Sequence, residues 1–303
     1  MFFFIAANVI LPIFVMMGLG YALGRVFALD LGSLSKLNFY IFIPLFMFYS
    51  LLIFKPTSQE ISGTVLFTLL LACAAFLVMV SLTRALRFSP SLASASTLGV
   101  MIFNSANYGI PVVQQAFQGE GVAIQIMTIT IMNIVTYTLG ILIAGGWSEW
   151  RQGVKTILQM PILYALAGAL LLRALNLDLP DALLLPLKWT SEGMLPIALL
   201  TLGAQLGASG LSLKHPRELG ITVAGRLVMG PFLAFLLLHL LGYHGLLARV
   251  LFVSSAFPTA VATVLFGIEY DQEPAFAADV IFLTTLLSAV TVTGAISLST
   301  LLF

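Results

Sequence analysis

Apolar runs long enough to cross a lipid bilayer recur along the whole sequence. A helix needs about 20 such residues to cross a hydrocarbon core about 30 Å thick. The sequence therefore predicts an all-α integral membrane protein with ten transmembrane helices. The predicted spans lie at about 4–24, 36–54, 61–83, 91–117, 121–144, 160–177, 186–207, 217–242, 246–268 and 275–302.

Charged residues are scarce, which excludes a soluble fold. Of the 303 residues, 60% are hydrophobic and 8% are charged, whereas about 25% of an ordinary soluble domain is charged. The formal net charge is +1, and the sequence has no basic patch of the kind that binds nucleic acid. We therefore expect membrane lipid as the surroundings and no nucleic-acid partner.

The positions of the basic residues predict the orientation, because lysine and arginine favour the cytoplasmic side. With both termini outside, the cytoplasmic ends of the spans hold eight lysines and arginines and the opposite ends hold four. We expect a multi-pass protein of the cell (inner) membrane with both termini outside. The segment 145–159 then connects the fifth and sixth spans on the cytoplasmic side.

Landmarks of the first half of the chain recur in the second half, in the same order and about 150 residues later. Five spans per copy is an odd number, so the second copy would be inverted in the membrane, as in many transporters. The sequence predicts two inverted five-helix repeats, 1–144 and 160–303. The landmarks are Pro12 and Pro161, KLNFYIFIP (36–44) and KWTSEGMLP (188–196), and Pro111 and Pro258.

The segment FNSANYGIP, residues 103–111, would break a helix in the middle of the fourth span. Such a break is tolerated only where it is buried in protein or lines a cavity, and transporters place breaks at matching positions of inverted repeats. The segment AFPTAV, residues 256–261, supplies the matching break because Pro258 removes a backbone donor. We expect one half-helix to end near Phe103 and another to begin near Ile110.

The two breaks together predict a site for an anion. The helix after each break would point its N-terminal N–H groups and partial positive charge into the gap, where a carboxylate can bind. The amides of Asn104 and Asn107 add donors without burying a fixed charge. The alternative is that the asparagines only join helices and the prolines only kink them.

The same segments resemble those of a known family. NSANYGIP in the fourth span, FPTAVATVLFGIEYDQEP in the ninth and TTLLSAVT (284–291) in the tenth resemble the auxin efflux carrier family. That family includes the plant PIN carriers and bacterial proteins assigned to malate or malonate transport. The resemblance covers the whole chain, except that the large central cytoplasmic loop of the plant members is absent.

The resemblance implies an arrangement like that of the bile acid sodium symporters. Spans 1, 2, 6 and 7 would form a scaffold that makes a homodimer, and spans 3–5 and 8–10 a moving core in which broken helices 4 and 9 cross. The implied function is efflux of small organic carboxylates, auxin-like or of the malate and malonate type, by elevator-type alternating access.

The resemblance also implies a site at the crossing of the two broken helices. Asn104 would contact the substrate carboxylate, and Pro111 and Pro258 would mark the crossing. Thr259 stands where those carriers have a glutamine. The candidate substrate-binding residues are Asn104, Asn107, Tyr108, Gly109, Pro111, Pro258 and Thr259.

Arg226, Asp279 and Glu192 are charged residues inside predicted spans, where a charge is costly without a partner. Arg226 and Asp279, in the eighth and tenth spans, differ in depth by about 7.5 Å, which an arginine side chain can cover. We expect Arg226 to pair with Asp279, with Glu192 of the seventh span as the competing partner. The pair would serve either the structure alone or ion coupling and anion attraction.

The sequence leaves the driving force of transport open. Sodium coupling needs a cage of several oxygen ligands, and the polar candidates are too scattered to assign one. Proton coupling through Asp279 and uniport driven by the membrane potential are the other possibilities. The scattered candidates are Gln125, Asn133, Thr284 and Thr285.

Other functions fit the sequence less well. A symporter of another organic anion, coupled to sodium or protons, or a receptor or regulator that binds such an anion, is the alternative to an efflux carrier. An enzyme would need a cluster of a nucleophile, carboxylates or metal ligands, and the sequence suggests none. We therefore predict no enzymatic activity, no metal and no cofactor.

Overall fold

The computed structural model describes residues 1–208 and 210–303, most of which are helical. We number the continuous helices α1 to α12. Their bounds are, in order, Phe2–Val26, Leu31–Ile53, Ser58–Ala85, Pro90–Met101, Gly109–Gly145, Trp150–Leu158, Pro161–Ala174, Asp181–Ala208, Pro216–Leu241, Gly245–Ser255, Ala262–Glu269 and Pro274–Leu302. The prediction of an all-α fold is confirmed for the described residues.

Six of the described helices are long and apolar enough to cross a membrane, namely α1, α2, α3, α5, α9 and α12. α6 and α7 meet at an angle of 49° and add a seventh span if the bent pair counts as one. By the length and composition of its helices the chain is a multi-pass membrane protein. The number of ten spans stays a prediction.

The ends of α3 show how local sequence sets the bounds of a span. Thr57 and Glu60 form a capping box, in which each side chain accepts a hydrogen bond from the backbone N–H of the other residue. Arg84 lies in the last turn, where a positive charge stabilises the negative end of the helix dipole. Polar groups therefore end the helix on both sides. The apolar run between them is long enough to span a membrane.

α5 is interrupted near its start. At 37 residues it would be about 55 Å long, which exceeds a hydrocarbon core of about 30 Å. Gln118 has φ of 56° and ψ of −152° and kinks the helix. Its position agrees with the boundary expected between the fourth span, 91–117, and the fifth span, 121–144.

α1 and α8 approach so closely that their contact requires glycine. A Cβ atom on Gly20 would lie 2.2 Å from a backbone oxygen of α8, and a Cβ atom on Gly203 would lie 2.0 Å from a backbone oxygen of α1. Gly24 and Gly207 repeat this contact four residues later, each at 2.6 Å. Small residues at such spacing are typical of closely packed membrane helices.

The helices pack in two groups. In the first, α1 packs on α8, and α2 packs on α7 and α8. In the second, α3 packs on α4, α5 and α9, and α12 packs on α4, α10 and α11. Contacts between the groups include those of α1 with α12 and of α2 with α5.

Candidate substrate site

The two helix breaks lie at the segments singled out in the sequence. Residues 102–108 separate α4 from α5, and residues 256–261 separate α10 from α11. The breaks contact each other through an isolated antiparallel bridge between Phe103 and Thr259. On one side of this bridge Asn104 N donates to the carbonyl oxygen of residue 258 at 2.8 Å. Some of the backbone groups that left their helices are thus paired between the two halves of the chain, which lowers the cost of burying them.

Arg226 binds the ends of the two helices that precede the breaks. Its Nη1 donates to the carbonyl of Val100 near the end of α4, and its Nη2 donates to the carbonyl of Ser255 at the end of α10. Each helix C-terminus carries about half a negative charge, so the single positive charge of one guanidinium balances the partial charges of two helix ends. Arg226 is 2% exposed, and its Cζ lies 5.3 Å from the centre of the Phe103 ring.

The predicted pair between Arg226 and Asp279 is wrong. Asp279 is buried, but its carboxylate oxygens accept hydrogen bonds from the backbone N–H groups of residues 212 and 213, at 2.9 and 2.7 Å. Glu192, the competing partner, is exposed and lies 3.9 Å from Nζ of Lys188. The depth argument considered only charged side chains, whereas backbone groups stabilise both of the buried charges.

Gln125 connects the first break to the end of α10. Its Nε2 donates to the carbonyl of Ser105 at 2.7 Å, and its Oε1 accepts from Oγ of Ser254 at 2.7 Å. Gln125 is fully buried. This residue, which the sequence suggested as a scattered sodium ligand, therefore has a structural partner in each half of the chain.

A cavity of about 590 Å³ lies between α2, the first break, α5 and the start of α11. Asn104 and Asn107, two predicted site residues, lie together in its wall. Asn133, considered above only for sodium, also lies there. Further polar residues in the wall, which the sequence analysis did not assign to the site, are Ser35, Lys36, Asn38, Tyr40, Ser105, Thr136, Tyr137 and Gln205.

Asn104, a residue of the cavity wall, has a buried hydrogen-bond donor that the protein leaves unused. The residue is 6% exposed, and its Nδ2 has no partner among the described residues. The backbone N–H groups of Ala106, Asn107, Val261 and Ala262 also lack a partner there, and these four residues line the cavity. Donors from both breaks therefore border one cavity, which is the arrangement that an anion needs.

The unpaired donors of the first break differ from those that the sequence predicts. Gly109 N donates to the carbonyl of Asn104 at 3.0 Å, Ile110 N donates to that of Ala106 at 3.1 Å, and Pro111 has no N–H. The expectation that the first turn of α5 would supply the donors was wrong, because the break folds back and pairs them. The unpaired N–H groups of this break belong to Ala106 and Asn107, two to three residues before Gly109.

Asn38 joins α2 to the first break. It lies on a π-helical turn, Asn38–Phe42, and its Nδ2 donates to Oδ1 of Asn107 at 2.9 Å. Such turns are frequent at functional sites, and the π-helical turn Thr136–Gly140 of α5 also contributes to the cavity wall. An amide inside an apolar run was the signal that sequence reasoning missed.

A family model described as a membrane transport protein matches residues 5–155 and 151–296 of the chain. The chain belongs to this family. The resemblance to the auxin efflux carriers is thereby confirmed, and the protein is a membrane transporter and not an enzyme.

Named relatives of this transporter are similar along most of their length. A protein of Methanothermobacter thermautotrophicus called "Uncharacterized transporter" is 25% identical over 300 residues, which cover 96% of this chain and 97% of the relative. The "Putative malonate transporter" of Rhizobium meliloti is 24% identical over 301 residues, covering 95% and 93%. An uncharacterized transporter of Methanocaldococcus jannaschii is 28% identical over 194 residues, 62% of each chain.

The cavity of the transporter reaches the start of α2 and the end of α8. Leu31 and Gly32 begin α2 and line the cavity, as does exposed Lys36, the charged residue in the wall within the described part of the chain. We call this end of the cavity, at Leu31, Gly32 and Lys36, its mouth. Asp30 caps α2 next to it. Hydrogen bonds from the hydroxyl and N–H of Ser33 hold the pKa of the Asp30 carboxyl below its usual value. The Asp30 carboxyl therefore stays ionised at neutral pH.

The other predicted binding residues support the breaks of the transporter and do not line its described cavity. Thr259 Oγ1 donates to the carbonyl of Gly99 at 2.6 Å, and Tyr108 accepts from Oγ of Ser288 at 2.8 Å. Gly109 packs where a Cβ atom would lie 2.7 Å from Phe257. Substrate contact stays a prediction for Tyr108, Gly109, Pro111, Pro258 and Thr259.

Proposed function

We propose that this transporter carries small organic carboxylate anions and binds them in the cavity between the breaks and α2. The observation that carries this proposal is the buried, unpartnered Nδ2 of Asn104 beside four unpaired backbone N–H groups. A carboxylate oxygen accepts such bonds, and hydrogen bonds to a charged acceptor are stronger than neutral ones. No carboxylate side chain lines the cavity within the described residues, so none there repels the ligand.

A short dicarboxylate is the substrate that the surroundings favour. One carboxylate would occupy the donors at the breaks, and Lys36 at the mouth would attract the second. The name of the Rhizobium meliloti relative supports malonate as the first compound to test.

We infer that transport proceeds by elevator-type alternating access, in ten spans arranged as two inverted repeats. The first packing group, α1, α2, α7 and α8, would be the fixed scaffold and the homodimer contact, and the second group would be the moving core. The bond between Asn38 and Asn107 joins the two groups and would break during the motion. Since the cavity reaches the ends of α2 and α8 that we place in the cytoplasm, the conformation would face inward.

The contacts of Arg226 favour uniport over sodium coupling. In several transporters the carbonyls at the C-terminal ends of broken helices coordinate the coupling ion. In this chain the carbonyls of Val100 and Ser255 bind Arg226, and that of Gly99 binds the hydroxyl of Thr259. Groups of the protein itself therefore occupy the positions that a coupling cation would need.

Exchange measured in liposomes tests the function. Purified protein is reconstituted, the liposomes are loaded with unlabelled malonate, and entry of labelled malonate is followed with either sodium or choline as the cation. We expect saturable exchange in both salts, with competition by short carboxylates and none by malonamide, which lacks the charge. Failure to exchange any carboxylate of a broad panel would contradict the proposed function, whereas a strict requirement for sodium would contradict only uniport.

A further inference from the structure

Asn38 has a polar atom that the protein leaves unused. The residue is 2% exposed, and its Nδ2 is committed to Asn107. Nδ2 is the donor in this bond, and Oδ1 is the other polar atom of the side chain. Oδ1 has no hydrogen-bond partner among the described residues, although buried polar atoms in proteins are nearly always paired.

Two residues of the cavity wall therefore carry complementary buried atoms that lack partners among the described residues. Asn104 contributes a donor, Nδ2, and Asn38 contributes an acceptor, Oδ1. Both residues line the same cavity, as does Asn107, which accepts the hydrogen bond from Asn38. A simple carboxylate satisfies the donor and leaves the acceptor unpaired. A ligand with a donor beside its carboxylate satisfies both.

We propose that Asn38 is a specificity-determining residue, which selects carboxylates that carry a hydroxyl group near the carboxylate. The carboxylate accepts from Asn104, and the hydroxyl donates to Oδ1 of Asn38. This inference rests on the proposed carboxylate site and adds the class of substrate, a short hydroxy acid. A site built to hydrogen-bond a substrate hydroxyl disfavours the analogue that lacks it, because its own polar group stays buried without a partner.

Pairs of ligands that differ by one hydroxyl test the inference on the wild-type protein. Binding of malate is compared with succinate, and binding of hydroxymalonate is compared with malonate, by calorimetry on purified protein. One hydrogen bond corresponds to about a tenfold preference for the hydroxy acid. Methoxysuccinate, which keeps the oxygen but has no donor, should bind no better than succinate.

The variant Asn38→Leu tests the residue itself. We expect it to bind malate and succinate with equal affinity, while succinate affinity stays within about threefold of that of the wild type, because the Asn104 donor remains. Asn8→Leu is the matched control, since Asn8 is exposed and its amide bonds only to the backbone of Phe4. This control should keep the preference for malate.

Each outcome decides between the two proposals. Equal binding of malate and succinate by the wild type, or preference for malate that persists in Asn38→Leu, overturns the role of Asn38 and leaves carboxylate transport standing. If Asn38→Leu does not fold, equal binding of malate and methoxysuccinate by the wild type still overturns the inference. Binding of none of these acids overturns the proposed function and the inference with it.

Discussion

The guanidinium of Arg226 lies over the ring of Phe103, which belongs to the first helix break, with Cζ 5.3 Å from the ring centre. A cation over an aromatic face is attracted by the ring. The same guanidinium holds the ends of α4 and α10. One side chain thus fixes the position of two helix ends and of one break between them.

Replacing Arg226 should destabilise the protein. In Arg226→Leu two buried carbonyls lose their donor, which costs about 1–3 kcal/mol for each group. Arg226→Lys keeps the charge but not the planar fork of donors, so we expect a smaller loss. Thermal unfolding of purified protein measures both effects. Arg25→Leu, at an exposed position, is the control, and an equal change in all three variants would contradict the assignment.

Asn104→Ala should weaken carboxylate binding without unfolding the protein. A hydrogen bond to a charged group contributes about 1.5–3 kcal/mol, which corresponds to a roughly ten- to hundredfold loss of affinity. Stability should stay the same or rise, because the variant removes a buried donor that has no described partner. Calorimetric titration and thermal unfolding check the two parts. Unchanged affinity in folded Asn104→Ala protein would place the carboxylate elsewhere.

Gly203→Ala should disrupt the contact between α1 and α8. The added Cβ atom would meet a backbone oxygen at 2.0 Å, and such overpacking costs about 1–3 kcal/mol or more. Gly18→Ala is the control on α1, because a Cβ atom there meets nothing within 4 Å. The control should stabilise slightly, since glycine is about 0.5–1 kcal/mol worse than alanine in a helix. Equal unfolding temperatures for the two variants would count against this packing.

The predicted orientation is open to a labelling experiment on intact cells. Cys73, the only cysteine of the sequence, is first replaced by serine. In this background Trp150→Cys should resist an impermeant thiol reagent added outside, because the 145–159 segment is expected in the cytoplasm. Leu177→Cys, between α7 and α8, should react. The two positions are similarly exposed, at 54% and 55%, so access to the side chain does not explain a difference. The reverse pattern of labelling would invert the topology.

The sequence predicted those features that depend on local chemistry. The break at residues 102–108 follows from asparagine, glycine and proline within a few positions, and the kink at Gln118 falls where two apolar runs were expected to meet. Asn104 could be recognised because it stands inside the break.

Features that depend on distant contacts were missed. The partners of Arg226 are backbone carbonyls, which exist at every residue, so the sequence carries no signal that distinguishes Val100 and Ser255. The contact of Asn38 with Asn107 joins residues that lie far apart in the chain. The π-helical turn that carries Asn38 depends on packing and has no local signature in the sequence. Charge pairing alone was therefore too narrow a rule for the membrane interior.

The bridge between Phe103 and Thr259 limits how this protein can be assembled during synthesis. When the ribosome has completed only the first half, the polar backbone around Phe103 faces lipid or a provisional partner, since its strand-like neighbour has not yet been made. Such exposed groups are costly in hydrocarbon. The first half therefore completes its packing only after residues near 259 have entered the membrane. Two halves expressed as separate chains should each be unstable unless both are present.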